Sequence, residues 1–186
     1  SLPLGVFIDY IATIDNSWFV PTTVFPFRLL GVVPIEDLIW GFFLIYSIII
    51  FYEHFLDKGK HELLDKRMKY LAWPLIILML VFFTLLFTMP ELLVIPYAYF
   101  WLGTIFFVLP TITFLSFFPR LLSKYVKTAS YFFLLAILFE LTGLQLNQWT
   151  FPGENFIGWV ELFGHRFPFE EFFFWFVMGA VSVLAY

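Results

Sequence analysis

The sequence predicts an all-α integral membrane protein. Six transmembrane helices are expected in this chain and seven in the complete protein, as two parallel pseudo-symmetric repeats joined by a linker helix. Three observations carry that expectation. Only 13% of the 186 residues are charged, while 62% are hydrophobic and 24% aromatic. A soluble domain has roughly a quarter charged residues, and one of this size needs a polar surface that this composition does not supply. Second, apolar runs of about 20 residues, the length that crosses a bilayer core, recur along the chain. Third, one polar pattern occurs near both ends.

The runs place the spans in order. They are Leu2–Ile14, which is short, then Pro34–Phe55, Tyr70–Met89, Leu92–Phe118, Thr128–Leu146 and Pro168–Tyr186. Leu2–Ile14 contains Asp9 and lacks a basic start, so it does not read as a signal peptide. Pro74, Pro96 and Pro110 fall inside spans, where neighbouring helices can satisfy the freed backbone groups. Lys58, Lys60, Lys66, Arg67 and Lys69 separate the second and third spans, and Arg120, Lys124 and Lys127 the fourth and fifth. Only Arg28 and Arg166 lie on the other side. This bias puts the basic loops 53–69 and 119–127 in the cytoplasm and the chain in the cell membrane. Loops 15–33 and 147–167 then face outward. The chain is expected to be one polytopic domain, 1–186. Repeat one covers 1–69, linking helices 70–118 and repeat two 119–186, which requires a further helix before Ser1.

The repeated pattern begins with Asp9, then Asn16, Trp18, Pro21, Gly31 and Pro34-Ile35-Glu36-Asp37. Its second copy is Glu140, then Asn147, Trp149, Pro152, Gly164 and Pro168-Phe169-Glu170-Glu171. In both, the acid precedes Asn by seven residues and Trp by nine, and Trp precedes Pro by three. Acids inside a span usually face the bundle interior and mark a pathway, a relay or a reactive site; the plainer alternative is a buried acid that fixes helix packing. Each tetrad also reads as a simple helix start, with Pro at the first position and acids complementing the dipole. Successive helical residues point about 100° apart, so only one acid of each tetrad can face a given point. Glu36 and Glu170 are expected to face the centre with Asp9 and Glu140. Four acids in a dry site cannot all ionise, so a neutral acid able to donate a proton should persist there.

Asn16 and Asn147 either orient these acids or end their helices. Trp18 and Trp149 suit an interfacial belt, or a π-face that stabilises a cation. His165 and Arg166 either pair with the second tetrad or face water. Cysteine is absent and net charge is −4, which excludes disulfides and thiol chemistry and argues against nucleic acid. No zinc spacing, Gly-rich phosphate loop, Asp-rich magnesium motif or Ser-His pairing occurs. The chemistry expected is acid–base work on something apolar, with no cofactor and no metal.

The two tetrads, each preceded by an intramembrane acid, a Trp and a Gly, resemble the membrane-embedded lycopene cyclase domains of bacteria, archaea and fungi. The resemblance covers nearly the whole chain. It departs from the family in the order of the Glu-Asp and Glu-Glu tetrads and at Phe169, where Ile is usual. It implies a carotenoid cyclase, an intramolecular lyase of the isomerase class, that closes the end group of a linear polyene without redox change. Asp9, Glu36, Asp37, Glu140, Glu170 and Glu171 would be catalytic, supported by Asn16, Trp18, Pro34, Asn147, Trp149 and Pro168. Expected partners are a membrane-dissolved carotenoid, the bilayer, and a second copy or other carotenoid enzymes. Competing readings are a proton-coupled transporter, a terpenoid cyclase acting on another polyene, and a structural membrane protein. A prenyl-protein protease needs Arg four residues after a Glu-Glu pair, and position 175 is Trp.

Overall fold

In the computed structural model, residues 2–59 and 69–186 are described. The expected basic-loop residues Lys60, Lys66 and Arg67 lie outside them. The helices are α1 (Leu2–Ile14), α2 (Ile35–Phe51), α3 (Lys69–Thr88), α4 (Ala98–Gly103), α5 (Leu109–Phe117), α6 (Leu122–Gln145) and α7 (Gly179–Ala185). Wider, π-helical turns prolong α2 through Tyr52–Asp57, join α4 to α5 at Thr104–Val108 and lead into α7 from Glu171–Met178. Among the described residues, three continuous helices, Ile35–Asp57, Ala98–Phe117 and Pro119–Gln145, are long and apolar enough to cross a membrane. The apolar helices Pro3–Ile14, Ala72–Thr88 and Glu171–Ala185 are shorter.

Two expected boundaries move, each for a local reason. The span expected from Leu92 starts at Ala98. Pro90–Leu93 is only a short 3-10 turn and Tyr97 adopts a left-handed conformation with φ 57°. Pro96 disfavours helical geometry in the residue before it and supplies no N–H. The Asp15 carboxylate, at the end of α1, lies near the Ala98 N–H at the start of α4. Further on, the basic segment 119–127 is not a loop. A 3-10 turn at Pro119–Leu121 runs straight into α6, so Lys124 and Lys127 lie on that helix.

α1, α3 and α4 enclose one core around Phe7, Ile11, Phe82, Leu102 and Phe106. Tyr52, Phe114, Leu121, Tyr125, Val181 and Ala185 form a second, at the opposite end of the long helices. There Lys124 Nζ donates to Asp57 Oδ1 at 2.5 Å, with Asp57 fully buried, and Tyr125 Oη donates to the Leu184 carbonyl at 2.8 Å. The outer faces of the long helices are bare hydrocarbon: Ile39, Phe42, Phe43, Tyr46 and Ile50 on α2, and Leu134, Leu138 and Phe139 on α6, are exposed. An apolar surface this extensive matches a lipid-facing perimeter rather than a water-facing one.

Between helices the chain folds into two hairpins. β1 (Arg28–Leu29) pairs antiparallel with β2 (Val33–Pro34), and β3 (Trp159–Leu162) with β4 (His165–Pro168). Both turn at a left-handed pair: Leu30 and Gly31 at φ 53° and 81°, Phe163 and Gly164 at φ 51° and 80°. Two consecutive positive φ angles are the geometry that matches strand twist in tight hairpins, and Gly adopts them without a Cβ clash. Each hairpin delivers a buried Pro, Pro34 or Pro168, to the start of the next helix.

Candidate functional site

The helices carrying the deep acids end alike. Ser17 N–H reaches back to the Ala12 carbonyl and Asn16 N–H to Thr13, while Gln148 N–H reaches Gly143 and Asn147 N–H reaches Leu144. Asn16 and Asn147 are left-handed, with φ 58° and 53°. This is the Schellman ending, in which the left-handed residue ties up the last carbonyls. Both asparagines therefore terminate helices. Asp9 and Glu140 each lie five residues before the last helical residue, Ile14 or Gln145, about 8 Å from the helix end. α6 begins earlier than expected, but it ends at Gln145, one residue short of the expected Leu146, so Glu140 stays near its outer end.

The tetrads divide their acids in a way opposite to the expectation. Glu36 and Glu170 do not face the deep acids. Glu36 Oε1 accepts the Phe25 N–H at 2.8 Å, and Glu170 Oε1 accepts the Ile157 N–H at 2.7 Å. Each glutamate thus holds the preceding loop against its helix start. The reason is positional. The loop returns over the first turn of the helix, where the first acid finds loop amides otherwise lacking an acceptor. The 100° step to the next residue turns Asp37 and Glu171 inward instead.

Those second acids meet the deep ones. The Asp9 and Asp37 carboxyls lie side by side, too close for both to ionise away from water. Glu171 lies beside Glu140 and is half-buried. Asp9 is 6% exposed and Glu140 3%. Trp149 Nε1 donates to both Glu140 oxygens at 3.2 Å, and the Tyr99 hydroxyl donates to Glu171 Oε2. Trp149 thus turns inward to an acid rather than serving only in an interfacial belt. It can do so because Gly143, one turn after Glu140, leaves room for the indole: a Cβ there would overlap its six-membered ring.

Aromatic rings surround the pairs. Trp40 on α2 stacks on Phe139 of α6 at 5.1 Å, and Phe139 lies 5.1 Å from Trp149. Phe107 meets Trp175 edge-on at 4.9 Å, and Trp175 lies beside Tyr99. Such rings offer negative faces to a cation in a place with little water.

Arg28 donates to the Val20 and Val32 carbonyls, holding the first loop, and attracts Asp9 and Asp37 electrostatically. Arg166 lies over the Trp159 ring at 4.3 Å. Together with Asn147, Trp149, Trp159 and His165 among others, it lines a cavity of about 220 Å³. An apolar groove along Ile35, Leu38, Ile39, Phe42 and Phe43 lies on the face of α2 away from Asp37 and does not open onto the acids.

Sequence reasoning missed Tyr99 and Trp175. A lone Tyr in an apolar run resembles any belt residue; its nearness to the left-handed break after Pro96 was the usable signal. In comparisons with known proteins, no family model, curated protein or solved structure matches this chain.

Proposed function

We propose that the protein is a carotenoid cyclase of the lycopene cyclase type, acting by proton-initiated ring closure without a cofactor. The observation that carries this reading is the pairing of each deep acid with the second acid of a tetrad under aromatic cover. A neutral carboxyl protonates the terminal double bond of the polyene. The tertiary cation that results is attacked by an internal double bond, which closes a six-membered ring. A carboxylate then removes a proton from a carbon beside the new cationic centre. One proton enters and one leaves, so the product is an isomer of the substrate. Aromatic faces stabilise the cation and exclude water, which would otherwise trap it.

The same reading takes the chain as six spans in two parallel repeats in the cell membrane, with both basic ends cytoplasmic. The identical helix endings and matched hairpin turns support it. So does a reciprocal contact between the outer loops. Phe19 and Thr150, equivalent positions in the two copies, exchange backbone hydrogen bonds at 3.0 and 2.8 Å. A pair of equivalent residues bonded to each other in this way is what a two-fold relation between halves produces.

The test is expression in lycopene-accumulating cells followed by chromatography of the pigments. Monocyclic or bicyclic carotenoids are expected. Unchanged lycopene, with the protein present in the membrane fraction, rejects lycopene as substrate.

A further inference from the structure

Beneath their shared pattern, the two acid pairs are held differently. In the second pair every carboxyl is fixed by a donor from outside the pair, Glu140 by the Trp149 indole and Glu171 by the Tyr99 hydroxyl. In the first pair the carboxyls lie side by side, and among the described residues neither Asp9 Oδ2 nor Asp37 Oδ2 accepts from any donor group. Trp18, the counterpart of Trp149, keeps its Nε1 buried and unpartnered. Aspartate is one methylene shorter than glutamate, so Asp9 has less reach than Glu140 for an indole nine residues on. Their electrostatic surroundings differ too. Arg28 acts on both Asp9 and Asp37, whereas the groups acting on Glu171 are Glu140 and Tyr99.

These differences matter for proton transfer. A donor aimed at a carboxyl oxygen favours its ionised form. The first pair has no outside donor among the described residues, so one of its two carboxyls keeps a proton. Once that proton leaves, two negative charges remain side by side, and Arg28 is the cation placed to offset them.

We propose that the Asp9–Asp37 pair is the proton donor of the cyclisation, and that the Glu140–Glu171 pair, clamped by Trp149 and Tyr99, does not supply the proton. This rests on the cyclase reading above. The proton moves from the carboxyl pair to the terminal carbon of the polyene. The proton lost on ring completion restores the pair, directly or through solvent.

Two measurements on the full chain test it. In pigment assays, Asp9→Asn and Asp37→Asn should each lower the cyclisation rate 100-fold or more, within the usual contribution of a general acid. Glu140→Gln and Glu171→Gln should lower it by less than tenfold. The reverse order overturns the proposal. The second measurement needs no substrate: infrared spectra of the purified protein in H2O and D2O. The protonated-carboxyl stretch that shifts in D2O should vanish in Asp9→Asn and Asp37→Asn and persist in Glu171→Gln. A band that persists in both Asp variants, or vanishes only in Glu171→Gln, overturns it. If wild type leaves lycopene unchanged while the infrared result is as expected, the cyclase reading fails and the first pair still stands as the proton-bearing one.

Discussion

Gly143 and Trp149 carry a large share of the second acid pair between them. The indole packs where a Cβ would sit and so brings Nε1 to the Glu140 carboxyl. Gly143→Ala would raise helix propensity by about 1 kcal/mol, yet overpacking costs about 1–3 kcal/mol. A net loss of stability is expected, read as a lower denaturation midpoint in detergent. A midpoint that rises would show that the ring does not need this space. In the sequence, the burial of Asp9 and Glu140 was legible, because an acid amid apolar residues has few other places to go. The choice between Glu36 and Asp37 was not. Both lie in uniformly apolar surroundings, and the deciding partner, the Phe25 amide, comes from a loop whose path no periodicity announces.

Among the elements, the long helices were legible and their ends less so. Proline and a left-handed Tyr97 cut the fourth span short, while α6 gained a basic first turn that charge alone assigned to a loop. That turn carries Lys124, which reaches the buried Asp57 from the end of α2. Removing one partner of a fully buried pair costs about 3–5 kcal/mol. Lys124 is 23% exposed, so Asp57→Ala should cost somewhat less, about 2–4 kcal/mol on the same scale. Adding Lys124→Met to that variant should cost less than the two changes sum to separately, because their mutual contact is lost only once. Additive losses in denaturation of the four proteins would show that the pair is not coupled.

Across the whole molecule, the two outer loops are joined to each other. Besides the Phe19–Thr150 exchange, Gly153 N–H donates to the Asn16 carbonyl at 2.8 Å. Thr150→Pro removes the N–H that Phe19 accepts. Backbone amides around Phe19 should then exchange with D2O faster, while those of α2 and α6 keep their protection. Equal acceleration in the helices would mean that the loops help hold the bundle together rather than only each other. This junction was not legible beforehand. The doubled pattern showed that two loops match, but matching sequences do not say that the loops touch.

The Asp57–Lys124 pair also has a consequence for how the protein is made. Its partners are 67 residues apart. At a synthesis rate of about 5–20 residues per second, Asp57 emerges roughly 3–13 s before Lys124. Through that interval the end of α2 and the start of α6 cannot be joined by this contact. Within this pair, the order of biogenesis is therefore set by chain position: the membrane receives α2 first, and this contact is added only when α6 arrives.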